Sequence, residues 1–325
     1  MEAMRQTENQ QVLVLGATGG IGGELARQLR AAGWTVKALA RRPDAGTTAD
    51  GITWIRGDAM DREAVVTAAQ GCDVIVHAVN PPGYRRWAEL VLPMIDNTIA
   101  AARAVGATIV LPGTVYNYGP DAFPLLTEDS PQRPTTRKGA IRVELERRLR
   151  AATEDGVRAI VVRAGDFFGP QAGNSWFSQG LVKGGRPVDV VQLPGHPGVG
   201  HLWSYVPDVA QTMRLLIERR HTLDAFAAFH MAGHWDEDGM RMAEAIRSVA
   251  RRHGTLARMR RFPWWLVTLA APFATTLREL LEMRYLWRVP VKMSNERLGK
   301  TLGHEPHTPL ETAVEATLGG LGCLS

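Results

Sequence analysis

Three glycines, Gly16, Gly19 and Gly22, recur at intervals of three behind the apolar run Val12-Leu13-Val14-Leu15. Thr18, Gly20 and Ile21 complete the turn, and Glu24 to Leu29 continues with the period of a helix. A turn without side chains lets a ligand approach the backbone, and free N–H groups at a helix start attract an anion. Strand–turn–helix units of this kind hold the pyrophosphate of a dinucleotide. Roughly 20 residues further on, an acidic residue would hold the ribose hydroxyl of NAD, whereas an arginine accommodates the 2′-phosphate of NADP. Arg41 and Arg42 stand there. NADP is therefore the expected cofactor and NAD the less favoured one, with a solvated basic loop as the alternative reading.

Such a turn needs a sheet behind it. Helical patterning runs to Ala32, where Gly33 suits a C-terminus, and TVKALA at 35–40 reads as a second strand. Thr53 to Arg56 is a third strand, followed by Asp61 as N-cap and Glu63 in the first turn of a helix through Ala69. DVIVHAV at 73–79 has the continuous apolar character of a buried parallel strand. Trp87 to Val105 is helical in period, with Pro93 expected to kink or divide it, and Thr108 to Pro112 is a fifth strand. Strands alternating with helices predict an α/β fold with a doubly wound parallel sheet.

At this point the chain resembles the short-chain dehydrogenase/reductase superfamily, in its extended or atypical, epimerase/dehydratase-like branch. GATGGIGG at 16–23, GD at 57–58, VIVHAV at 74–79, Asn97, PGTVYNYG at 112–119, VVRAGDFFGP at 161–170 and WSYVPDVA at 203–210 carry the resemblance. It implies a Rossmann domain over 1–170, with 200–232 returning to it, and a smaller substrate-binding lobe from 171–199 and 233–325. It also implies Gly16, Gly19 and Gly22 on the pyrophosphate, with Thr18, Gly20 and Ile21 beside them. Arg41 and Arg42 would lie near the 2′-phosphate, Asp58 at the adenine, Ala78 against the cofactor, and Thr114 hydrogen-bonded to the reacting group. Dimerisation through helices near 87–105 and 138–152 is a further implication.

The chemistry departs from the family at one place. Where most of the superfamily has Tyr-x-x-x-Lys on a helix, this chain has Lys138 and Arg142. Residues four apart share a helix face. Arg137 and Arg142 as neighbours would lower the pKa of Lys138, and a lysine tuned toward neutrality can shuttle a proton. Lys-x-x-x-Arg also resembles the atypical branch of phenylpropanoid and isoflavone-type reductases, in which a lysine is catalytic. The competing reading is a solvated helix laced by Arg142–Glu146 and Glu144–Arg148 pairs. Tyr116 and Tyr118 are alternative proton sources, Tyr118 also matching a pocket-wall tyrosine of the family. Asp208 reads as an early carboxylate favouring the helix after Pro207.

Beyond Pro170 glycine and proline thicken, and Trp176, Phe177 and Trp203 are candidate pocket walls. FPWWLVTLAAPFA at 262–274, just after Arg258, Arg260 and Arg261, reads as a buried helix or lid over an apolar pocket. A membrane-surface anchor over 258–276 is the alternative. Leu277 to Trp287 and Thr308 to Leu321 read as helices. His230/His234 and His304/His307 do not sit on regular helix faces, so no metal is expected.

Composition bounds the function classes. Of 325 residues, 45% are hydrophobic and 22% charged, with 38 Lys and Arg against 33 Asp and Glu. That mild basic excess suits an anionic cofactor better than nucleic acid. Cys72 and Cys323 are the only cysteines, which argues against a disulfide framework or a zinc site and for a reducing, cytoplasmic setting. The first ten residues lack a signal-peptide core, and no apolar run reaches the roughly 18 residues of a membrane span. There is no Gly-x-Ser-x-Gly, so serine hydrolysis is not supported. The expectation is an NADP-dependent oxidoreductase moving a hydride to or from a carbonyl or conjugated carbon of a small, apolar or aromatic molecule. A non-catalytic NADP sensor and a nucleotide-sugar epimerase or dehydratase are the alternatives.

Overall fold

Val12 and Val14 turn to one side of the first strand, and Leu13 and Leu15 to the other, all within apolar cores. A strand that is apolar on both faces must be covered on both. The computed structural model describes residues 10–324 apart from 43–45, 48–50, 82–85 and 174. In chain order the elements of the first half are β1 (Gln11–Leu15), α1 (Gly20–Ala31), β2 (Thr35–Ala40), β3 (Gly46–Thr47), β4 (Thr53–Arg56), α2 (Arg62–Ala68), β5 (Val74–His77), α3 (Trp87–Val105) and β6 (Thr108–Thr114). Then come α4 (Arg137–Ala152), β7 (Arg158–Ala164), α5 (Val206–Glu218) and β8 (Phe226–His230). The last stretch adds α6 (Arg241–Arg252), α7 (Trp264–Ala270), α8 (Thr275–Glu282), α9 (Glu296–Leu302) and α10 (Leu310–Gly320).

The sheet order is β8-β7-β6-β5-β1-β2-β4-β3, parallel throughout except for the short β3 at its edge. α1 and α5 cover one face, burying Leu25, Leu29, Met213 and Leu216 against Val12, Val36 and Val162. On the other, α2, α3 and α4 bury Val65, Ile95, Leu145 and Leu149 against Leu13, Ile75 and Val161. This is the doubly wound α/β sheet expected from the sequence. From β1 the order runs outward to β2 on one side and to β5 on the other. The carboxyl ends of these strands form the switch point where α/β sheets take ligands.

Local signals act as their chemistry dictates. Asp61 caps α2 by accepting from the N–H groups of Glu63 and Ala64. Gly106 ends α3 in the left-handed conformation, at φ +73°. Pro93 does not divide α3, which runs unbroken from Trp87 to Val105, and β6 extends two residues beyond Pro112. Asp208 goes beyond its expected part as a helix-start carboxylate. Its oxygens accept from the Thr308 N–H and hydroxyl, each at 2.7 Å, tying the C-terminal segment to α5.

Beyond the two cores of the sheet, the remaining residues build a further core. Phe168, Phe177, Trp203, Trp264 and Trp287 pack there with apolar faces of α6 and α10. His201–Tyr205 lies between Asp166–Phe168 and His234–Asp236 in a three-stranded sheet, and Val190–Leu193 pairs with Arg258–Arg261. In place of one helix over Leu277 to Trp287, α8 ends at Glu282 and a 3₁₀ turn continues to Trp287.

Candidate functional site

At the end of β1, Gly16 takes φ +91°, and a Cβ there would stand 2.6 Å from the Ala78 carbonyl. A Cβ on Gly22 would come within 2.3 Å of the Gly16 oxygen. The Gly19 N–H donates to that same oxygen at 2.9 Å, closing the turn. Gly20 faces the Gln171 carbonyl, so the segment after β7 rests on the turn. α1 starts with Gly19 as N-cap, without a side-chain cap and without an acidic residue in its first turn. Its leading N–H groups, around Gly20 and Ile21, are thus left for an anion. Thr18 is exposed at the rim of the turn. A pyrophosphate fits this cradle.

Arg41 and Arg42 are exposed at the carboxyl end of β2. Asp58, half-buried beyond β4, accepts from the Met60 N–H at 3.0 Å. Asn97 reaches from α3 to donate to the Ala59 carbonyl at 2.9 Å, bracing the loop that carries Asp58. Ala78, half-buried, donates its N–H to Leu15 at 2.9 Å and forms the wall opposite Gly16. The sheet therefore brings the expected cofactor residues to one edge.

Thr114 ends β6. Its hydroxyl donates to Asn117 at 3.2 Å and accepts from the Tyr116 N–H at 3.4 Å, capping a 3₁₀ turn over Val115–Asn117. The Tyr116 carbonyl packs on the start of α4, where a Cβ on Gly139 would lie 2.2 Å from it. Tyr116 itself is half-buried against a cluster with Val115, Leu202 and Leu286.

Lys138 is 2% exposed. Its ammonium meets the Glu279 carboxylate at 2.7 Å and Glu282 at 3.2 Å, and donates to the Glu279 carbonyl at 2.7 Å. The expected arginine surroundings are thus corrected. The charges nearest Lys138 in space are carboxylates of α8, which approach because that helix folds across the start of α4. Arg142 stacks over Trp87, 5.0 Å from the ring centre, and donates to Asn80 at 3.5 Å. Of the expected helix pairs, Glu144–Arg148 forms at 2.8 Å, while Glu146 turns inward.

Glu146 belongs to a buried network that sequence reading missed. It pairs with Arg163 at 2.5 Å, and Arg163 donates to the Tyr118 hydroxyl at 2.8 Å. Tyr118 also contacts His230 at 2.8 Å. Burial pushes the Tyr118 phenol far above its ordinary range, and burial holds His230 down at about 3. Tyr118 is therefore a core residue braced by Arg163. His230, one of the paired histidines, is spoken for by this network, and His234 packs on His307 with ring centres 4.3 Å apart. Among the described residues no cluster of three metal-ligating side chains occurs.

A second pair was also missed. His201 meets Asp166 at 2.9 Å, both nearly buried, and stacks flat on Trp287 with ring centres 3.8 Å apart. Two small cavities of about 20 and 10 Å³ flank His201. The larger is walled by Trp203 and Trp287, the smaller by Val115, next to Thr114, and by Asp166. Trp176 meets Trp287 edge to face with ring centres 5.1 Å apart, whereas Phe177 is core. The only sequence signal for this pair was its place inside the VVRAGDFFGP and WSYVPDVA blocks or at their edge.

A 3-diazoavenalumate denitrifying reductase from a Streptomyces species is 33% identical over 178 residues, 50% of this chain and 58% of that protein. A 2-alkyl-3-oxoalkanoate reductase from Shewanella oneidensis is 33% identical over 94 residues, 29% of this chain and 24% of that protein. The matches thus span little more than half of one curated relative and about a quarter of the other. Among solved structures, an epimerase from Methanothermobacter thermautotrophicus superposes with a TM-score of 0.72 at 17% identity, over 98% of this chain and 94% of that one. MoeE5 in complex with UDP-glucose and NAD gives 0.70 at 19%, over 95% and 98%. At such identities these two speak for the fold alone. The model of the NAD dependent epimerase/dehydratase family matches residues 12–232, from β1 through β8. With the glycine turn, the switch point of the sheet and that match in agreement, the chain belongs to the NAD dependent epimerase/dehydratase family.

Proposed function

We propose that this chain is an NADP-dependent reductase acting on a carbonyl or conjugated carbon of a small apolar or aromatic molecule. One observation carries the cofactor choice: Arg41 and Arg42 are exposed at the end of β2, on the same sheet edge as the uncapped start of α1. Two guanidinium groups there favour a 2′-phosphate over a bare ribose hydroxyl. Bound NADPH supplies the hydride. Thr114 orients the substrate oxygen, and Lys138, with Arg142 one turn on, holds the proton that the oxygen takes up; Tyr116 is the alternative donor. The reductase names of the two curated relatives support the reaction class.

The substrate side is aromatic. The indole N–H groups of Trp203 and Trp287 are buried without an acceptor among the described residues. Both rings wall the larger cavity beside His201. Buried donors call for acceptors; at about 20 Å³ the cavity has room for a single water, so the rings must part to admit a flat molecule carrying oxygen.

A second reading rests on the same lysine. Because Glu279 and Glu282 already engage Lys138, a chain that binds NADP without turning it over remains a competitor. Nucleotide-sugar epimerisation is the other chemistry that the resemblance implies, and Lys138 at the position matched to the family's usual tyrosine counts against it. A cytoplasmic location and a homodimer through α3 and α4 complete the proposal. The test is NADPH absorbance followed against a panel of ketones and enones, wild type against Lys138→Ala. Turnover lost in the variant supports the lysine mechanism. Unchanged turnover overturns it, and tight binding without turnover on any compound favours the sensor.

A further inference from the structure

Helix α7 has two apolar faces and only one of them is covered. Trp264 and Val267 are buried, with Trp264 packed on Trp176 and Phe262. At 100° per residue, Trp265, Leu266 and Leu269 lie on the other side. They are 69%, 45% and 68% exposed, and Phe273 in the following turn is 91% exposed. Single exposed apolar residues are ordinary, but four large ones on one helix and its adjoining turn mark an interaction surface.

The charges of the segment that carries this patch are one-sided. From Leu256 to Pro290 the basic residues are Arg258, Arg260, Arg261, Arg278, Arg284 and Arg288, and the acidic ones are Glu279 and Glu282 alone. Both glutamates are engaged by Lys138. Arg258, Arg260 and Arg261 are exposed on the strand that leads into α7, and Arg288 is exposed after α8. A second copy laid face to face on this patch would set arginine against arginine without carboxylates to answer them. An anionic partner does answer them.

We propose that the α7 face docks on an anionic lipid surface. Trp265, Leu266, Leu269 and Phe273 enter the headgroup–acyl boundary, and the arginines lie over the lipid phosphates. Tryptophan suits that depth because its ring is apolar and its N–H polar. The seven residues of α7 lie along the surface; among the described residues no helix is long and apolar enough to cross a membrane. This goes beyond the proposed reaction and does not depend on it.

The test is flotation of the full chain with vesicles of phosphatidylcholine alone or mixed with phosphatidylglycerol. Tryptophan emission is read in parallel. The variants are Trp265→Ser/Leu269→Ser/Phe273→Ser, whose side chains are exposed, and Arg258→Gln/Arg260→Gln/Arg261→Gln, with circular dichroism as the check on folding. The expected result is binding to the mixed vesicles that falls by about tenfold or more in each variant, and that weakens with added salt. Absence of wild-type flotation on mixed vesicles overturns the proposal, as does binding unaffected by the serine changes. A concentration-dependent dimer that the serine variant abolishes, measured by light scattering, also overturns it by giving the face to a second copy.

Discussion

Lys138, in the first turn of α4, and Glu279, on α8, join a helix of the parallel sheet to the C-terminal part of the chain with an ion pair of 2.7 Å. The lysine is almost wholly buried while each glutamate keeps about a fifth of its side chain in water (21%). Lys138, proposed above to hold the proton, is therefore also a structural tie.

These two roles separate on mutation. Lys138→Met strands two carboxylates and is expected to cost about 1–3 kcal/mol, less than a fully buried pair because the glutamates are partly solvated. Adding Glu279→Gln and Glu282→Gln should restore most of the melting temperature, since no charge is then left unmatched. Turnover should stay down by about a hundredfold or more, the usual scale of a lost general acid. If the triple variant recovers turnover, Lys138 is a tie and nothing else.

The Glu146–Arg163 pair, with side chains 5% and 1% exposed, lacks that solvent relief. Glu146→Gln leaves Arg163 charged and buried, and denaturant unfolding should show a loss of about 3–5 kcal/mol. A loss below about 1 kcal/mol would mean that water or another group reaches the guanidinium.

His77 gives a pH signature. Thr98 donates to the Met94 carbonyl, so its oxygen is free to accept from His77 Nδ1 at 2.7 Å, which selects the Nδ1–H tautomer of the neutral ring. Burial, helped by Arg142, holds His77 down at about 3 against an ordinary 6.5. Between those values the unfolded chain binds a proton that the folded chain refuses, so stability falls as pH drops from 6.5 toward 3. His234, held at about 4 by burial and His307, adds the same sign. Urea midpoints at pH 7, 6, 5 and 4 should decline, and His77→Asn should flatten that slope while lowering stability at pH 7. An unchanged slope would contradict this account.

Gly16→Ala tests the turn. The left-handed φ alone costs about 1–2 kcal/mol, and the new methyl would press on the Ala78 backbone at 2.6 Å. Nicotinamide dinucleotide binding, read by fluorescence titration, should fall by about a hundredfold or to nothing. Retained affinity would move the cofactor away from this turn.

What the sequence made legible was local. The apolar run before Gly16 and the Asp61 cap depend on residues a few positions apart, and they stand as expected. Arg41 and Arg42 stand out because a fixed distance from the glycines has a chemical meaning, and both lie exposed at the end of β2. Lys138 stands out by position, but its environment differs from the one its chain neighbours suggest. Arg137 and Arg142 are its neighbours in the chain, but Glu279 and Glu282, 141 and 144 residues away, are its neighbours in space. Asp166–His201 and Glu146–Arg163 escaped for the same reason: each joins separate elements, and periodicity within one element says nothing about the other. The segment 262–274 read as a buried lid because its prolines obscured the helical period. Folded, it buries Trp264 and exposes Trp265.

The central claim is that the glycine turn and the two arginines make an NADP site. It is tested most directly by titrating wild type and Arg41→Ala/Arg42→Ala with NADPH and NADH. The account predicts that NADPH binds wild type at least about tenfold more tightly than NADH, and that the double variant loses this preference with little change toward NADH. Equal affinity for the two cofactors in wild type, or a preference that survives without both arginines, would contradict it.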